Sequence, residues 1–340
     1  VDKENFSAYK TSEHRYPIYS NSLENHGLYG YTSNPKYSAD SVTITGRGSV
    51  GHAEYREDEF DAIIRLLVLK PKSSNVCAQF VADYINNCVD FSLESTGVPQ
   101  LTAPQIMNVE LELPQYDEQK EVTTVLADVS SLIDMLGKQI SKKKAIKQGA
   151  MQELLTGKRR LPGFFGEWVN TKIGSITEVY SGGTPNTSEP AFWGGKIPWM
   201  NSGELNLKIV RQVQGRITEV GMDSSSTHFI PAECVLIGLA GQGKTRETAA
   251  FNTFPLCTNQ SIAAIYPNPN KFDSKFLYYK MDTQYDQLRE LSSGDGGRGG
   301  LNKKLILDYE VVIPQSIDEQ AAIATILTEM DYEIENLEMK

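Results

Sequence analysis

The chain writes one pattern twice, and this repeat limits its fold more than any other feature. Residues 110–136 read ELELPQYDEQKEVTTVLADVSSLIDML, and residues 309–337 read YEVVIPQSIDEQAAIATILTEMDYEIENL. In each copy a short strand-like segment ends at a proline, an Asp-Glu-Gln triplet follows, and a long helix with periodic apolar residues begins. An internal repeat of this kind predicts two halves built on one plan.

The match extends upstream of the two prolines. Segments 14–22, 42–52 and 97–114 (HRYPIYSNS, VTITGRGSVGH and GVPQLTAPQIMNVELELP) correspond to segments 195–203, 235–245 and 297–314 (GKIPWMNSG, VLIGLAGQGKT and GRGGLNKKLILDYEVVIP). The middle pair is a short apolar strand that runs into a glycine-rich turn. The two copies agree in these matching segments and differ in the residues between them. This pattern predicts one scaffold that carries two different surfaces. Segment 161–185 has no counterpart, so we expect the first copy to lack about 21 residues.

The apolar positions of the two long helices keep one spacing. They recur at intervals of four, three, four and three residues, which is the heptad spacing of helices that pair along a seam. We therefore predict a helix pair rather than two ordinary surface helices. The predicted seam consists of Val122, Leu126, Val129, Ile133 and Leu136 in the first helix and of Ile323, Leu327, Met330, Ile334 and Leu337 in the second.

Charge favours an antiparallel direction for this pair. Residues 138–160 carry eight Lys and Arg against one acid, a net charge of +7, whereas residues 317–340 have a net charge of −6. Residues 115–136 have a net charge of −4, so a parallel pair in register would bring like charges together. Each exposed ion pair contributes only about 0.2–1 kcal/mol, but several together decide the direction of a seam that packs either way.

The expected length of the first helix suggests a ligand. A helix from Asp117 to Leu155 would be roughly 58 Å long at about 1.5 Å per residue. This exceeds one turn of B-DNA, which is about 34–36 Å. An antiparallel pair of such helices would hold two different globular heads at a fixed separation, and duplex DNA is the obvious ligand with two separated features.

Composition limits the class of protein further. A chain of 340 residues favours two domains, and a net charge of −10 argues against indiscriminate coating of nucleic acid. Its four cysteines and four histidines show no metal-ligand spacing. No apolar run approaches the length of a membrane span. We expect a cytoplasmic, reduced protein with no metal site and no membrane association.

At the helix connectors the chain resembles a known family. The proline, the DEQ triplet, the periodic helix and the following AIKQGAMQELLTGKRRLPGF (145–164) resemble the specificity subunit of a type I restriction-modification system. SGGTPNTSEPAFWGGKIPWMNSGELN (181–206) is similar to the opening of that family's target recognition domains, and TGRGSVGHAEY (45–55) is similar to the middle of one. The resemblance covers nearly the whole chain.

The resemblance implies an α+β fold with a pseudo-twofold repeat, in which two long helices form an antiparallel coiled coil that joins and separates two target recognition domains. On this interpretation the chain is not an enzyme. Each domain reads one half of a bipartite, asymmetric site in double-stranded DNA, while the helices set the spacer and dock two modification (methyltransferase) subunits. A separate restriction subunit carries the motor and nuclease. The chain itself needs no cofactor, and S-adenosylmethionine, ATP and Mg²⁺ belong to the partner subunits.

The predicted domain boundaries follow from the repeat. They are 1–114 for the first recognition domain, incomplete at its N-terminus, 115–157 for the central helix, 158–314 for the second recognition domain, and 315–340 for a distal helix that stops early.

Two alternatives from other classes remain open. GLAGQGKT (238–245) fits the phosphate-loop pattern of an NTPase, but such a loop needs a long helix directly after its lysine. Here Pro255 follows Lys244 after eleven residues. The other alternative is a two-headed scaffold that joins two proteins and ignores DNA. ATP turnover by the chain would support the first, and salt-dependent binding to a bipartite DNA would exclude the second.

The candidate DNA contacts lie in and beside the glycine-rich turns. Turns of this kind let the backbone approach a phosphate and hold Arg, Asn, Gln or Lys toward base edges. We predict no catalytic residue. The predicted DNA-binding residues are Arg47, His52, Gln242, Lys244, Arg246, Arg298, Asn302, Lys303 and Lys304.

Overall fold

A computed structural model describes residues 5–63, 65–91, 99–240, 245–292 and 300–340. The chain forms two compact units, Val1–Met135 and Leu136–Lys340. The first unit contains the strands β1 (Tyr16–Tyr19), β2 (Leu28–Thr32), β3 (Ser41–Thr45), β4 (Ala53–Arg56), β5 (Asp61–Ala62) and β6 (Leu66–Leu69). Its helices are α1 (Ala78–Cys88) and α2 (Ala103–Met107), followed by the long helix α3 (Tyr116–Leu154), which continues into the second unit.

The first unit is built from two small sheets. β1 pairs with β2 in antiparallel and with β5 in parallel orientation. β3 lies between β4 and β6 and pairs antiparallel with both. Every residue of β3 is buried, because helix α1 packs over this second sheet and contributes residues such as Val81 and Ile85 to the same core.

The second unit repeats this plan and extends it. Its strands are β7 (Trp168–Lys172), β8 (Val179–Ser181), β9 (Trp193–Met200), β10 (Ile209–Val210), β11 (Gly215–Ile217), β12 (Val235–Gly238), β13 (Ala249–Asn252), β14 (Cys257–Thr258), β15 (Ile262–Ile265) and β16 (Glu310–Pro314). Its helices are α4 (Ile173–Ile176), α5 (Glu219–Asp223), α6 (Ser274–Asp282), α7 (Tyr285–Ser292), α8 (Lys303–Asp308) and α9 (Ile317–Glu338).

The strand orders of the two units confirm the repeat. The sheet β11-β9-β14 has the order and orientations of β2-β1-β5, with one antiparallel and one parallel neighbour. The core β13-β12-β15 has those of β4-β3-β6 and gains β10 and β8 at its two edges. Mixed helices and strands in both units agree with the predicted α+β class.

One predicted strand is absent from the first unit. In the second unit Glu310–Pro314 pairs with Trp168–Lys172 along its whole length. The corresponding residues before Pro114 have no strand structure. The pairing strand β7 belongs to segment 161–185 of the second copy. In the second unit each of these two strands satisfies the backbone groups of the other.

The glutamine of each DEQ triplet is a buried clamp. Gln119 is 1% exposed and Gln320 is 0% exposed. Gln320 donates to the Pro314 carbonyl at 2.7 Å and accepts from the backbone N–H of Asp273, the N-cap of α6, at 2.9 Å. Gln119 donates to the Pro114 carbonyl at 2.8 Å and accepts from the N–H of Cys77, the N-cap of α1, at 2.8 Å. The repeated triplet therefore ties each long helix to the domain helix before it.

The helices α3 and α9 run antiparallel, as the charges predict. Within the second unit Lys143 pairs with Glu333 at 2.6 Å and Lys144 with Glu338 at 2.6 Å. Lys147 pairs with Asp331. Beyond the end of α3, both guanidinium nitrogens of Arg160 that face Glu319 donate to its carboxylate, at 2.6 and 2.8 Å. The partners of Lys143 and Lys144 lie near the end of α9, that of Lys147 lies earlier, and that of Arg160 lies in the first turn, which confirms the direction.

The predicted seam is wrong for the first helix. Four of its members are 38–62% exposed, namely Val122, Leu126, Val129 and Ile133. In α9 the seam positions Ile323, Leu327 and Ile334 are 0–7% exposed. The ion pairs explain the difference, because they place α9 along the second half of α3. The apolar face of α9 therefore joins the core of the second unit, with Leu154, Leu155 and the residues of α6.

Candidate nucleic-acid interface

In the first unit the glycine-rich turn connects β3 to β4. Thr45 organises this hairpin. Its hydroxyl accepts from the His52 N–H at 3.0 Å and donates to the Ser49 carbonyl, while its carbonyl accepts from the Gly51 N–H at 2.8 Å. Gly48 and Gly51 have φ values of +81° and +88°, so the sharp turn depends on them.

A second loop meets this hairpin. The Leu101 N–H donates to the Gly46 carbonyl at 2.8 Å, and Arg47 forms an isolated antiparallel bridge with Gln100. Leu101 and Gln100 belong to the loop that leads into α2. A third segment approaches from the β1–β2 connection, where the Asn21 side-chain amide donates to the Arg47 carbonyl at 3.0 Å. Three loops from separate parts of the sequence therefore converge around Arg47.

A charged cluster lies beside the same hairpin. The Glu54 carboxylate contacts His52 Nε2 at 3.2 Å and His26 Nδ1 at 3.4 Å. Arg56 is 5% exposed, and its guanidinium lies 3.1 Å from Glu54. Burial lowers the pKa of the Arg56 guanidinium, while the nearby Glu54 carboxylate acts in the opposite direction. The predicted contact His52 is thus one of two imidazoles held by one carboxylate.

In the second unit the corresponding hairpin connects β12 to β13. The Glu247 N–H donates to the Gly238 carbonyl at 2.9 Å. The Glu247 side chain is 2% exposed and accepts from the Ser292 hydroxyl at 2.6 Å. Arg246 Nε lies 2.8 Å from that carboxylate. Arg246 therefore has a structural role, because it joins the hairpin to the end of α7 through a buried acid.

The loop before α8 meets this hairpin as the loop before α2 meets the first one. A Cβ built on Gly300 would lie 3.6 Å from the Leu239 carbonyl oxygen and 4.0 Å from Arg246 Nη2. Asn302 is exposed and caps α8, since its side-chain oxygen accepts from the Leu305 N–H at 3.0 Å. Lys303 Nζ lies 5.0 Å from the centre of the Tyr180 ring, and Lys304 is exposed.

The structure thus brings together residues that the sequence suggested separately. Arg47 and His52 lie in one hairpin of the first unit. In the second unit Arg246 lies in the corresponding hairpin, and Asn302, Lys303 and Lys304 lie at the start of α8. The predicted contacts Gln242, Lys244 and Arg298 lie outside the described residues. Sequence reasoning missed Asn21, Asn25, His26 and Gln100. The Asn-His-Gly run at 25–27 is a recognisable turn signal, but it lies where the two copies differ.

The structure explains the two glycines of the segment SGGTP (181–185), which resembles the start of a target recognition domain. Gly183 donates to the Thr258 carbonyl at 2.9 Å, and the Trp199 indole donates to the Gly183 carbonyl at 3.0 Å. A Cβ on Gly182 would collide with the Thr258 carbonyl oxygen, so the chain passes β14 only as glycine. This close approach fixes the start of the second domain against its smaller sheet.

The phosphate-loop interpretation is wrong. Gly238 is the last residue of β12, and the chain after Thr245 continues through a short turn into β13. A phosphate loop requires a helix at this place, whose N-terminus holds the phosphates. In the described ranges no group of three or more His, Cys, Asp or Glu side chains is arranged to hold a metal ion. Among the same residues, no helix has the length and apolar character needed to cross a membrane.

Comparison with known proteins agrees with this architecture. The family described as "Type I restriction modification DNA specificity domain" matches residues 3–144 and 166–340, so one domain of this family covers each copy of the repeat. The chain belongs to this family. The fold also matches the crystal structure of the S subunit of the type I restriction-modification system from M. genitalium, with a TM-score of 0.67 and 14% identity over 100% of this chain and 87% of that one.

Curated relatives carry names of the same class. The specificity subunit of the type I restriction enzyme EcoR124I/EcoR124II from Escherichia coli is 27% identical over 63% of this chain and 52% of its own length. The type I restriction enzyme MjaIX specificity subunit from Methanocaldococcus jannaschii is 33% identical over 50% of this chain and 39% of its own length. The chain thus spans about half or less of these two relatives. A specificity subunit of Mycoplasma pneumoniae, named putative, is 22% identical over 95% of this chain and 83% of its own length.

Proposed function

We propose that this chain is the DNA-recognition subunit of a type I restriction-modification enzyme, in which each unit reads one half of a bipartite site. One observation carries the proposal. In each unit a β-hairpin meets the loop before a short helix, and the two meeting points are equivalent in the repeated scaffold. The side chains at these two points differ between the units. A shared frame with unlike polar loops is suited to two different half-sites, because backbone contacts position a protein while side chains at base edges specify sequence.

The long helices support a role in assembly. The first half of α3 exposes apolar side chains in a row on a helix whose other positions are mostly polar. Contiguous exposed apolar surface marks interaction sites. We propose that modification subunits dock on the long helices, two of them because the scaffold is repeated, and that a restriction subunit joins the complex. The exposed residues of the row are Val122, Val125, Leu126, Val129, Leu132 and Ile133.

On this proposal the chain is not itself an enzyme. Methyl transfer from S-adenosylmethionine would take place on the modification subunits, and ATP with Mg²⁺ would serve the restriction subunit. The buried Glu247, held by Arg246 and Ser292, is consistent with a structural rather than a catalytic role. The chain's own residues would bind, orient and discriminate DNA.

Selection from a random duplex library tests this function. We expect the full chain, alone or with its modification subunits, to enrich one asymmetric sequence in two parts with an unspecified spacer. Affinity for that sequence should fall steeply with salt, with a slope of about −0.9 for each phosphate contacted. ATP turnover by the chain alone is the control for the alternative class. Enrichment of no sequence, or binding independent of salt, would favour the DNA-independent scaffold instead.

The paired hairpins make a second prediction. Arg47→Ala should change sequence preference in one half-site only, and Lys244→Ala, at a position between β12 and β13 in the sequence, should change preference only in the other. Each lost base contact should reduce discrimination by about 1–3 kcal/mol. Binding constants for a panel of single-base substitutions in each half-site measure this. A variant that binds all sequences more weakly by one factor has lost a phosphate contact, not a base contact.

A further inference from the structure

The turn between β1 and β2 has an unusual backbone. Asn25, His26 and Gly27 are three consecutive residues with positive φ values of +48°, +53° and +74°. Only glycine adopts this region freely, and Asn is among the few other residues that tolerate it. Strained residues of this kind persist where the surroundings fix them, and they concentrate at binding sites.

The surroundings fix this turn from two sides. Ser20 donates to the Gly27 carbonyl from its backbone N–H at 2.7 Å and from its hydroxyl at 3.1 Å. Arg56 donates to the His26 carbonyl at 3.0 Å. A Cβ on Gly27 would lie 2.6 Å from the Ser20 carbonyl oxygen, so the turn closes tightly over β1.

Arg56 is itself held by the core of the unit. Its Nε donates to the Thr43 hydroxyl at 2.9 Å, and its guanidinium lies 3.6 Å from the centre of the Tyr19 ring. The ion pair with Glu54 at 3.1 Å completes its contacts. A buried guanidinium with partners on β1, β3 and β4 connects the turn rigidly to both sheets of the unit.

The side chains of the turn project to solvent. Asn25 is exposed, and the His26 side chain is 83% exposed. His26 Nδ1 faces Glu54, so in the neutral ring Nδ1 is the donor to the carboxylate and Nε2 remains an acceptor. The neighbouring open groove has a volume of about 660 Å³ and includes the cations Lys10 and Arg15 together with the acids Asp58 and Glu59.

We propose that the turn Glu24–Gly27 reads bases for the first unit, with Asn25 and His26 as specificity-determining residues and Arg56 as their positioning residue. This inference rests on the proposed DNA-recognition function. The Asn25 amide is suited to a bidentate contact with adenine N6 and N7 in the major groove. His26 Nε2 accepts from an exocyclic amino group of adenine or cytosine. Asn21, which bonds the Arg47 carbonyl, joins this turn to the predicted hairpin in one face.

The second unit builds the corresponding turn differently. Its residues Ser202–Leu207 form a 3₁₀ helix, and Asn201 and Glu204 cap its start with reciprocal hydrogen bonds. The polar groups of this turn therefore satisfy one another, whereas in the first unit the Asn25 amide and the His26 imidazole project outward. The left-handed turn is accordingly a property of the first unit alone and not of the frame that the two units share.

Glycine replacements test the proposal without straining the backbone. Asn25→Gly and His26→Gly remove the side chains but keep a residue that accepts positive φ. We expect each to leave thermal unfolding of the chain nearly unchanged and to reduce discrimination at one base pair of the first half-site by about tenfold or more. Preference in the second half-site should stay as in the wild type. Selection from a random duplex library and binding constants for single-base variants measure both.

Glu233→Gly is the matched control, because Glu233 is an exposed residue with a φ of +66° in the second unit. It should leave first half-site preference intact. Arg56→Lys keeps the charge but cannot keep its contacts to Thr43, His26 and Glu54 together. It should broaden preference at the same base pairs as the glycine variants, whereas a purely structural role would weaken binding to every first half-site sequence alike.

The outcomes separate the two proposals. If the wild type selects a bipartite site and the Asn25→Gly/His26→Gly double variant selects the same site with the same affinity, the turn does not read bases and the proposed function stands. A uniform loss of affinity over all sequences makes the turn a phosphate contact and also overturns the inference. If the wild type selects no sequence, the proposed function fails and this inference fails with it.

Discussion

Replacing Gln320 by leucine is expected to lower the free energy of unfolding of the second unit by about 2–6 kcal/mol. Gln320 is fully buried and connects the Pro314 carbonyl to the N–H of Asp273. Leucine fills a similar volume but leaves both backbone groups without a partner, and each buried unsatisfied group costs about 1–3 kcal/mol. The effect should be large because one side chain connects the end of β16, the start of α6 and the first turn of α9.

Chemical denaturation of the full chain measures this change, and two variants calibrate it. Gln315→Leu makes the same replacement five residues earlier at an exposed position and should change stability by about 0.5 kcal/mol or less. Gln119→Leu removes the equivalent clamp of the first unit, whose amide also donates to the Asn75 carbonyl at 3.1 Å. If Gln320→Leu were no more destabilising than Gln315→Leu, the clamp would have no energetic importance.

The clamp shows what the sequence does and does not reveal. The repeat of proline and DEQ predicted two equivalent helix starts, and the structure confirms them. The reason for the glutamine could not be derived, because its partners Cys77 and Asp273 lie more than forty residues away in the chain. A residue that satisfies distant backbone groups leaves no periodic signal.

Charge predicted the direction of the helix pair better than apolar spacing predicted its contacts. Complementary charge depends only on which segments lie side by side, so the net values for 138–160 and 317–340 were sufficient. The heptad spacing was the same in both copies, but it does not state which surface covers each stripe. Ile323 and Leu327 pack into the domain core, whereas Val122 and Val129 remain exposed.

The candidate interface was predictable where the copies match and not where they differ. The hairpin containing Arg47 and His52 lies on the shared frame, so the repeat identified it. The turn with Asn25 and His26 lies in a stretch where the two copies differ. Its left-handed backbone depends on Arg56, which is remote in sequence, and on Ser20, which follows β1. Arg246 and Asn302 have the residue types of DNA contacts, but Arg246 pairs with the buried Glu247 and Asn302 caps α8, and composition does not show these bonds.

The second large effect is expected for Arg160→Met, which should lower the free energy of unfolding of the second unit by about 3 kcal/mol. Arg160 donates to both carboxylate oxygens of Glu319, which is 1% exposed. Removing the arginine leaves a buried carboxylate unpaired, and such losses cost about 3–5 kcal/mol. We expect the lower end because the Arg160 side chain is 29% exposed, so water can partly replace it.

The repeat supplies the control for this pair. Glu118 is the counterpart of Glu319 in the first DEQ triplet, and it is exposed. Glu118→Gln should therefore be nearly neutral, while Glu319→Gln in the Arg160→Met background should recover part of the lost stability by removing the buried charge. Denaturation of the wild type, Arg160→Met, Glu319→Gln and the double variant gives the coupling between Arg160 and Glu319 directly. A coupling near zero would mean that Arg160 and Glu319 meet without stabilising the second unit.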